Sequence, residues 1–210
     1  MNLELHGEAF ILSPHKVIFR KKTKTLLLAD LHLTKEAHFR KHGIAVPARI
    51  TAATLQILDE VISEFSPQKI LFLGDLFHSK ENKGIQEFIN WRSKYVSLSF
   101  SLIHGNHDIL ETHFYDEMKI ELEGILREEK HFLFTHEPIP NSSKINFCGH
   151  IHPAAIIKGK AKQHLRLPCF YFSKNNFILP AFGKFTGTHA IKRKKDDQLF
   201  IIADEEIIKI

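Results

Sequence analysis

Cysteine is scarce in this chain, with Cys148 and Cys169 the only two among 210 residues. Two thiols cannot build a disulfide framework, and so low a count suits a reducing compartment. Long apolar runs are missing as well. No stretch approaches the roughly 20 residues that a membrane-spanning helix needs, so no bilayer crossing is expected. The opening MNLELHGEAF has two early acids and no basic start before a long apolar core, which is not the pattern of a secretory signal. These absences predict a cytoplasmic protein with no membrane partner. Internal repeats, low-complexity tracts and Pro/Gly/Ser linkers are also missing, and the length predicts one domain over residues 1–210.

A strong excess of one charge is absent too. Lysine and arginine number 29 against 24 acidic residues, a net charge of +5. So mild a balance tolerates polyanions such as nucleic acid without naming one as partner. Hydrophobic residues at 43% and charged residues at 25% are ordinary for a globular chain and exclude disorder. What the chain has in excess is histidine, 15 residues, several of them in short clusters. Histidine is the commonest metal ligand and titrates near neutral pH.

Phe10–Leu12, Lys16–Phe19 and Thr25–Ala29 read as opening strands, with the basic segment from Arg20 to Lys24 as a solvated turn. Ile50, Leu55, Leu58, Val61, Ile62 and Phe65 recur at helical spacing, and Ser66-Pro67 ends that helix. A second helix is predicted over 84–96, its aromatics packing against a sheet. Further strands are expected at 69–73, 99–103, 131–134, 145–148, 154–157, 165–172, 177–179 and 198–203. Helices between the early strands imply parallel crossovers, and the crowded later strands a more antiparallel half. The economical architecture is α/β, two packed sheets with helices outside.

Five polar clusters each follow directly on an apolar strand: Asp30-Leu31-His32, Gly74-Asp75, Gly105-Asn106-His107-Asp108, Thr135-His136 and Gly149-His150-Ile151-His152. The carboxyl ends of strands in open α/β sheets converge on one crevice, so five such clusters become one site. Asp, His and Asn are oxygen and imidazole donors suited to divalent metals. Asp30 with His32, and His150 with His152, are i, i+2 pairs, which extended backbone would point to one side. Asp30, His32, Asp75, Asn106, His136, His150 and His152 make seven candidate ligands, too many for one tetrahedral ion. They suit two ions sharing a carboxylate, and two metals roughly 3.5–4 Å apart form the clamp of phosphatases and nucleases.

This series resembles the complete signature of the calcineurin-like metallophosphoesterases. The resemblance implies a four-layer αββα sandwich of two mixed sheets flanked by helices, with a dinuclear centre at the strand ends. By motif position Asp30, His32, Asp75 and His152 would hold one ion, and Asp75, Asn106, His136 and His150 the other. The run from Asp30 to Pro47 and the C-terminal Leu179-Pro180-Ala181-Phe182-Gly183-Lys184-Phe185-Thr186-Gly187 are similar to the ligase-associated DNA damage response endonucleases, the PdeM branch. Thr34 departs from the glycine usual there. That likeness implies a single-stranded DNA substrate, a role in repair, and DNA ligase or helicase partners.

Two divalent ions would polarise phosphate oxygens, neutralise transition-state charge and supply hydroxide near neutral pH. His107, held beside Asn106 without being a ligand, is the candidate general acid. Asp108 either orients its ring or caps a helix. Lys35, His38 and Arg40 would grip a second phosphate or the backbone of the substrate. His78 reads as a surface histidine, with the rim of the cleft as the alternative, and His104 as structural support. Manganese is the expected metal, and the donor set also accepts iron, zinc or nickel. Two other readings stay open: a phosphatase or small-molecule phosphoesterase acting on a nucleotide or lipid precursor, and a non-catalytic binding module. Against the lipid substrate, His107 stands where that branch carries arginine; against the module, no ligand is missing.

Overall fold

The computed structural model describes residues 1–35, 39, 43, 49–78, 82–159 and 163–210. The first sheet runs β1 (Asn2–Leu5), β2 (Glu8–Ser13), β3 (Val17–Arg20) and β4 (Thr25–Leu28) as antiparallel neighbours. It continues in parallel through β5 (Lys69–Leu73), β6 (Ser99–Ile103) and β7 (Ile120–Leu122). The crossovers hold α1 (Ile50–Phe65), α2 (Asn82–Arg92) and α3 (Thr112–Glu117). Ser66 ends α1 in the left-handed conformation (φ +44°), its N–H bonded to the Ile62 carbonyl.

The second sheet is built from β8 (Leu126–Glu128), β9 (Phe132–Thr135), β10 (Ile145–Cys148), β11 (Pro153–Lys158), β12 (His164–Ser173), β13 (Asn176–Ile178), β14 (His189–Ala190), β15 (Gln198–Ala203) and β16 (Glu206–Lys209). Its order is β14-β11-β12-β13-β10-β9-β8, with β15 on β12 and β16 on β15. β10 runs parallel to both β9 and β13, and antiparallel pairing dominates elsewhere. Among the described residues no helix is long and apolar enough to cross a membrane.

Strand periodicity sorts the side chains into layers. On β4, Leu26 and Leu28 face α1 and α2, while Leu27 and the following Ala29 face the second sheet. β5 repeats this with Ile70 and Phe72 on one side and Leu71 and Leu73 on the other. Between the sheets lies a cluster rich in phenylalanine, in which the Phe147 ring packs on Phe10, Phe132, Phe134 and Phe177 with centroids 5.1–5.8 Å apart. The result is the α/β sandwich of two mixed sheets with flanking helices. The helices at the apolar clusters lie on the first sheet; the second sheet's outer face carries a smaller cluster of Ala155, Cys169, Leu199 and Ile201.

The expected solvated turn after β3 is corrected at its first residue. Arg20 is buried, and its guanidinium bridges Glu8 and Glu129 at 2.7 Å each, joining the two sheets. A buried arginine needs such partners, because stripping it of water without compensation is costly. Several short strands with half-exposed patterns, β1, β7, β8 and β16, were not expected.

Phe147→Ala should destabilise the protein by about 3–5 kcal/mol, through lost transfer energy and the cavity left between the sheets. Chemical denaturation measures this directly, and a loss under about 1 kcal/mol would contradict the packing described.

Candidate metal centre

The five clusters converge at one end of the two sheets. Asp30 and His32 follow β4, Asp75 follows β5, His107 follows β6, His136 follows β9, and His150 and His152 follow β10. The loops pair with one another beyond the strands. Asp30 N–H bonds the Gly74 carbonyl (3.1 Å), His32 N–H the Asp75 carbonyl (2.9 Å), and Gly149 N–H the His136 carbonyl (2.9 Å).

Neither i, i+2 pair uses the extended backbone anticipated. Asp30 (φ +57°), His32 (+46°), Asp75 (+55°), His150 (+67°) and His152 (+51°) all lie in the left-handed region. Such conformations cost of order 1–3 kcal/mol each in non-glycine residues and persist only where the surroundings fix them. Thr34, the departure from glycine, has φ +72°, an angle glycine adopts freely. Close approach explains Gly149, where a Cβ would sit 2.4 Å from Asp30 Oδ2.

Asp75 lies in the middle. Its Oδ2 is 3.6 Å from His32 Nε2, and its Oδ1 is 3.5 Å from His136 Nε2. On the first side His152 Nε2 lies 3.3 Å from Asp30 Oδ1 and 3.5 Å from His32 Nε2. On the second, His150 Nδ1 lies 3.2 Å from His136 Nε2. His150 also fixes Asp30, donating its backbone N–H to that carboxylate at 3.0–3.1 Å. Asn106 is exposed beside these groups, sharing a cavity wall with His136. Its neighbours are pinned, Gly105 N–H to Asp108 Oδ2 and His107 N–H to Asp75 Oδ1, both at 2.9 Å.

The donor set fits a pair of divalent cations. Asp30 and Asp75 are buried, and among the described residues their ion-pair contacts within 4.0 Å are to histidines, with the Lys35 ammonium farther off near Asp75. Buried carboxylates without a cation are costly, and buried charges are paired or coordinate metals. The His32 imidazole does not supply the charge: burial and the neighbouring Lys35, His152, His78 and His107 push His32 down to about 2. A neutral imidazole is the ligand form. His136 donates Nδ1–H to the Leu73 carbonyl (2.9 Å) and His152 its Nδ1–H to the Gly187 carbonyl (3.2 Å), leaving each Nε2 lone pair facing the carboxylates.

The remaining candidates divide. Among the described residues Asp108 accepts no hydrogen bond from the His107 ring, and the N-cap of α3 is Glu111. Its buried carboxylate accepts N–H groups from Gly105, Asp75, Leu76 and Phe77, tying the loop after β5 to the loop after β6. Burial, aided by the Asp75 charge and opposed by those bonds, pushes it up to about 6. Lys35 is half-buried near Asp75, and burial holds its ammonium below the usual lysine range. His38 and Arg40 lie outside the described residues.

His78, taken from the sequence as a surface residue, is on the rim. Its ring stacks on His107 with centroids 4.5 Å apart, and its Nδ1 lies 3.4 Å from His32 Nδ1. His32, His78 and His107 form a third cluster of donor atoms beside the two above. The missed signal was position: His78 follows the short bridge that pairs Phe77 with Leu33, which carries the chain along the cleft.

The sequence matches the calcineurin-like phosphoesterase family over residues 23–171, a span that includes every candidate ligand. The chain belongs to that family. Its members are dinuclear-metal-dependent hydrolases, and this chain is a metal-dependent phosphoesterase. A crystal structure of the Pseudomonas putida nuclease MPE is similar, with 28% identity, a TM-score of 0.85 and 99% of each chain covered. An Aquifex aeolicus protein of unknown function, AQ665, has 17% identity and a TM-score of 0.45 over 61% of this chain and 78% of that one. The Escherichia coli phosphoesterase Yfce has 14% identity and a TM-score of 0.43 over 89% and 97%. No curated protein sequence matches the chain.

Asp108→Asn should destabilise the protein by about 1–3 kcal/mol, because an amide nitrogen cannot accept the N–H groups that one carboxylate oxygen now takes. A thermal melt without added metal reads this effect, and an unchanged Tm would show that the two loops are held otherwise.

Proposed function

We propose that this phosphoesterase is a phosphodiesterase acting on nucleic acid, cleaving single-stranded DNA internally in DNA repair. One observation supports the reading: the likeness to the Pseudomonas putida nuclease runs over 99% of both chains with a TM-score of 0.85. In this reading Asp30, His32, Asp75 and His152 hold one cation, Asp75, Asn106, His136 and His150 the other, with manganese as the metal. Those residues would hold cations that would supply Lewis-acid charge at the phosphate and make hydroxide available near neutral pH.

The side chains account for the rest. Asp75 takes the shared position because each oxygen faces a different histidine, and its backbone N–H is fixed by Asp108. His107 is exposed, and its ring stands beside His32 and His78 rather than among the carboxylates. It can therefore carry a proton to the departing oxygen of the strand without leaving the ligand set incomplete. Lys35 adds positive charge at the mouth, where a phosphate backbone approaches.

The test is a panel of metal-loaded assays on an aryl phosphate monoester, an aryl phosphate diester and single-stranded DNA. Cleavage of the diester and the DNA without the monoester is expected, and monoesterase activity alone would overturn the proposal. In His107→Ala, DNA cleavage should fall by about 10²–10⁴-fold, the usual worth of a positioned general acid. The aryl diester, whose leaving group needs little protonation, should lose less. Asp75→Asn should abolish cleavage and lower the metal content of the purified protein. Full activity in that variant would show that the shared position is wrongly assigned.

A further inference from the structure

A cavity of about 500 Å³ opens beside Asn106 and His136. Its size falls within the ~300–1,000 Å³ of small-molecule sites. Ile125 and Leu126 form one wall, and Pro138, Ile139 and Pro140 the other. Both walls are fixed by bonds that holding a cation does not require. Ile139 donates its N–H to Asn176 Oδ1 and accepts from Asn176 Nδ2 through its carbonyl, both at 2.9 Å. The Glu137 carbonyl accepts from Thr135 Oγ1 (2.6 Å) and Asn146 Nδ2 (3.4 Å). Asn146 and Asn176 are themselves buried and bonded to each other at 3.0 Å. On the adjacent strand, the turn before β8 is tied by Glu123 N–H to the Leu102 carbonyl and His104 N–H to the Gly124 carbonyl.

A rigid frame therefore holds apolar side chains open to water, Ile125 at 79% exposure and Leu126 at 40%. Apolar surface gathered in a cavity next to a reactive centre gains free energy when something covers it. Charge narrows the occupant. Among the described residues, the one ionisable side chain lining the cavity apart from two histidines is Glu137, with no lysine or arginine. A second phosphate would find no counter-charge there. A group with flat apolar faces, joined to a phosphate at the centre next door, fits both facts.

We infer that this cavity receives an unpaired nucleobase flanking the phosphodiester at the metal centre, and so selects single-stranded over paired substrate. The inference rests on the nucleic-acid reading above. In a duplex the base faces are stacked on their neighbours, so a base enters such a pocket only when unpaired or flipped out.

The test crosses two changes on the metal-loaded protein. One removes the walls, in Ile125→Ser alone and with Leu126→Ser, both exposed positions at which a thermal melt checks folding. The other removes the bases, comparing a single-stranded oligonucleotide with a chain of equal length made of abasic residues, which keeps every phosphate. For the wild type, KM should be about tenfold higher on the abasic chain, and the double variant should show a similar rise on the normal one, as expected for a few lost apolar contacts. The combined loss should be no larger than either alone, because both changes remove one contact. Equal KM for the two substrates in the wild type, or losses that simply multiply, would overturn the cavity assignment while leaving nuclease activity standing. Failure of the wild type to cleave either chain would instead overturn the nucleic-acid reading, and this inference with it.

Discussion

The carboxylate of Asp75 joins the two halves of the centre. One oxygen faces His32 from the first sheet, and the other faces His136 from the second. The same residue accepts the His107 N–H and is gripped through its own N–H by Asp108. Two sheets that meet through a largely apolar interface, with the Arg20–Glu129 ion pair between them, are thus aligned at this end by polar contacts with little freedom. Preorganisation of that kind is how an enzyme avoids reorganising its charges during reaction.

Its cost is visible in the backbone. Five of the residues with side chains at the centre sit in left-handed conformations that unconstrained side chains avoid. They stay there because each loop is hydrogen-bonded to another loop: Asp30 to Gly74, His32 to Asp75, Gly149 to His136, Gly183 to Asp30. The Phe-rich layer beneath provides the stability against which such strain is set. Protein stability and site geometry are coupled through these loops, so a change in one loop is felt by the others.

Short, nearly continuous apolar runs made the central strands legible, because β4, β5 and β6 are buried on both faces and carry little but apolar residues. The ends of those strands were legible for the opposite reason, as polar residues where the pattern stops. What the sequence hid depends on pairing between distant segments. β1 and β16 have only half-exposed patterns and gain strand structure from a neighbour. Arg20 looks like one more cation in a basic turn until Glu8 and Glu129 are placed around it. Asp108 follows a candidate acid in sequence, yet its carboxylate points at four backbone donors contributed by two loops. His78 has no periodic signal, and its place on the rim, one of two readings the sequence leaves open, is fixed by its contacts with His107 and His32.

The centre and the cavity beside it answer different questions. A fold and a metal centre shared across a family cannot by themselves choose among phosphate esters, because every such ester presents the same phosphorus and oxygens. Choice must come from surfaces that touch the rest of the molecule. Here that surface is built separately: the wall after His136 is held by Asn146 and Asn176, neither of which touches the carboxylates. Buried side-chain amides bonded to loop backbone are expensive to misplace, so the wall keeps its shape independently of what the centre holds. Among the described residues, two of the candidate ligands, His136 and Asn106, also line the cavity. In the proposed reading, a substrate positioned through them is recognised at its phosphate by charge and at its neighbouring group by apolar shape.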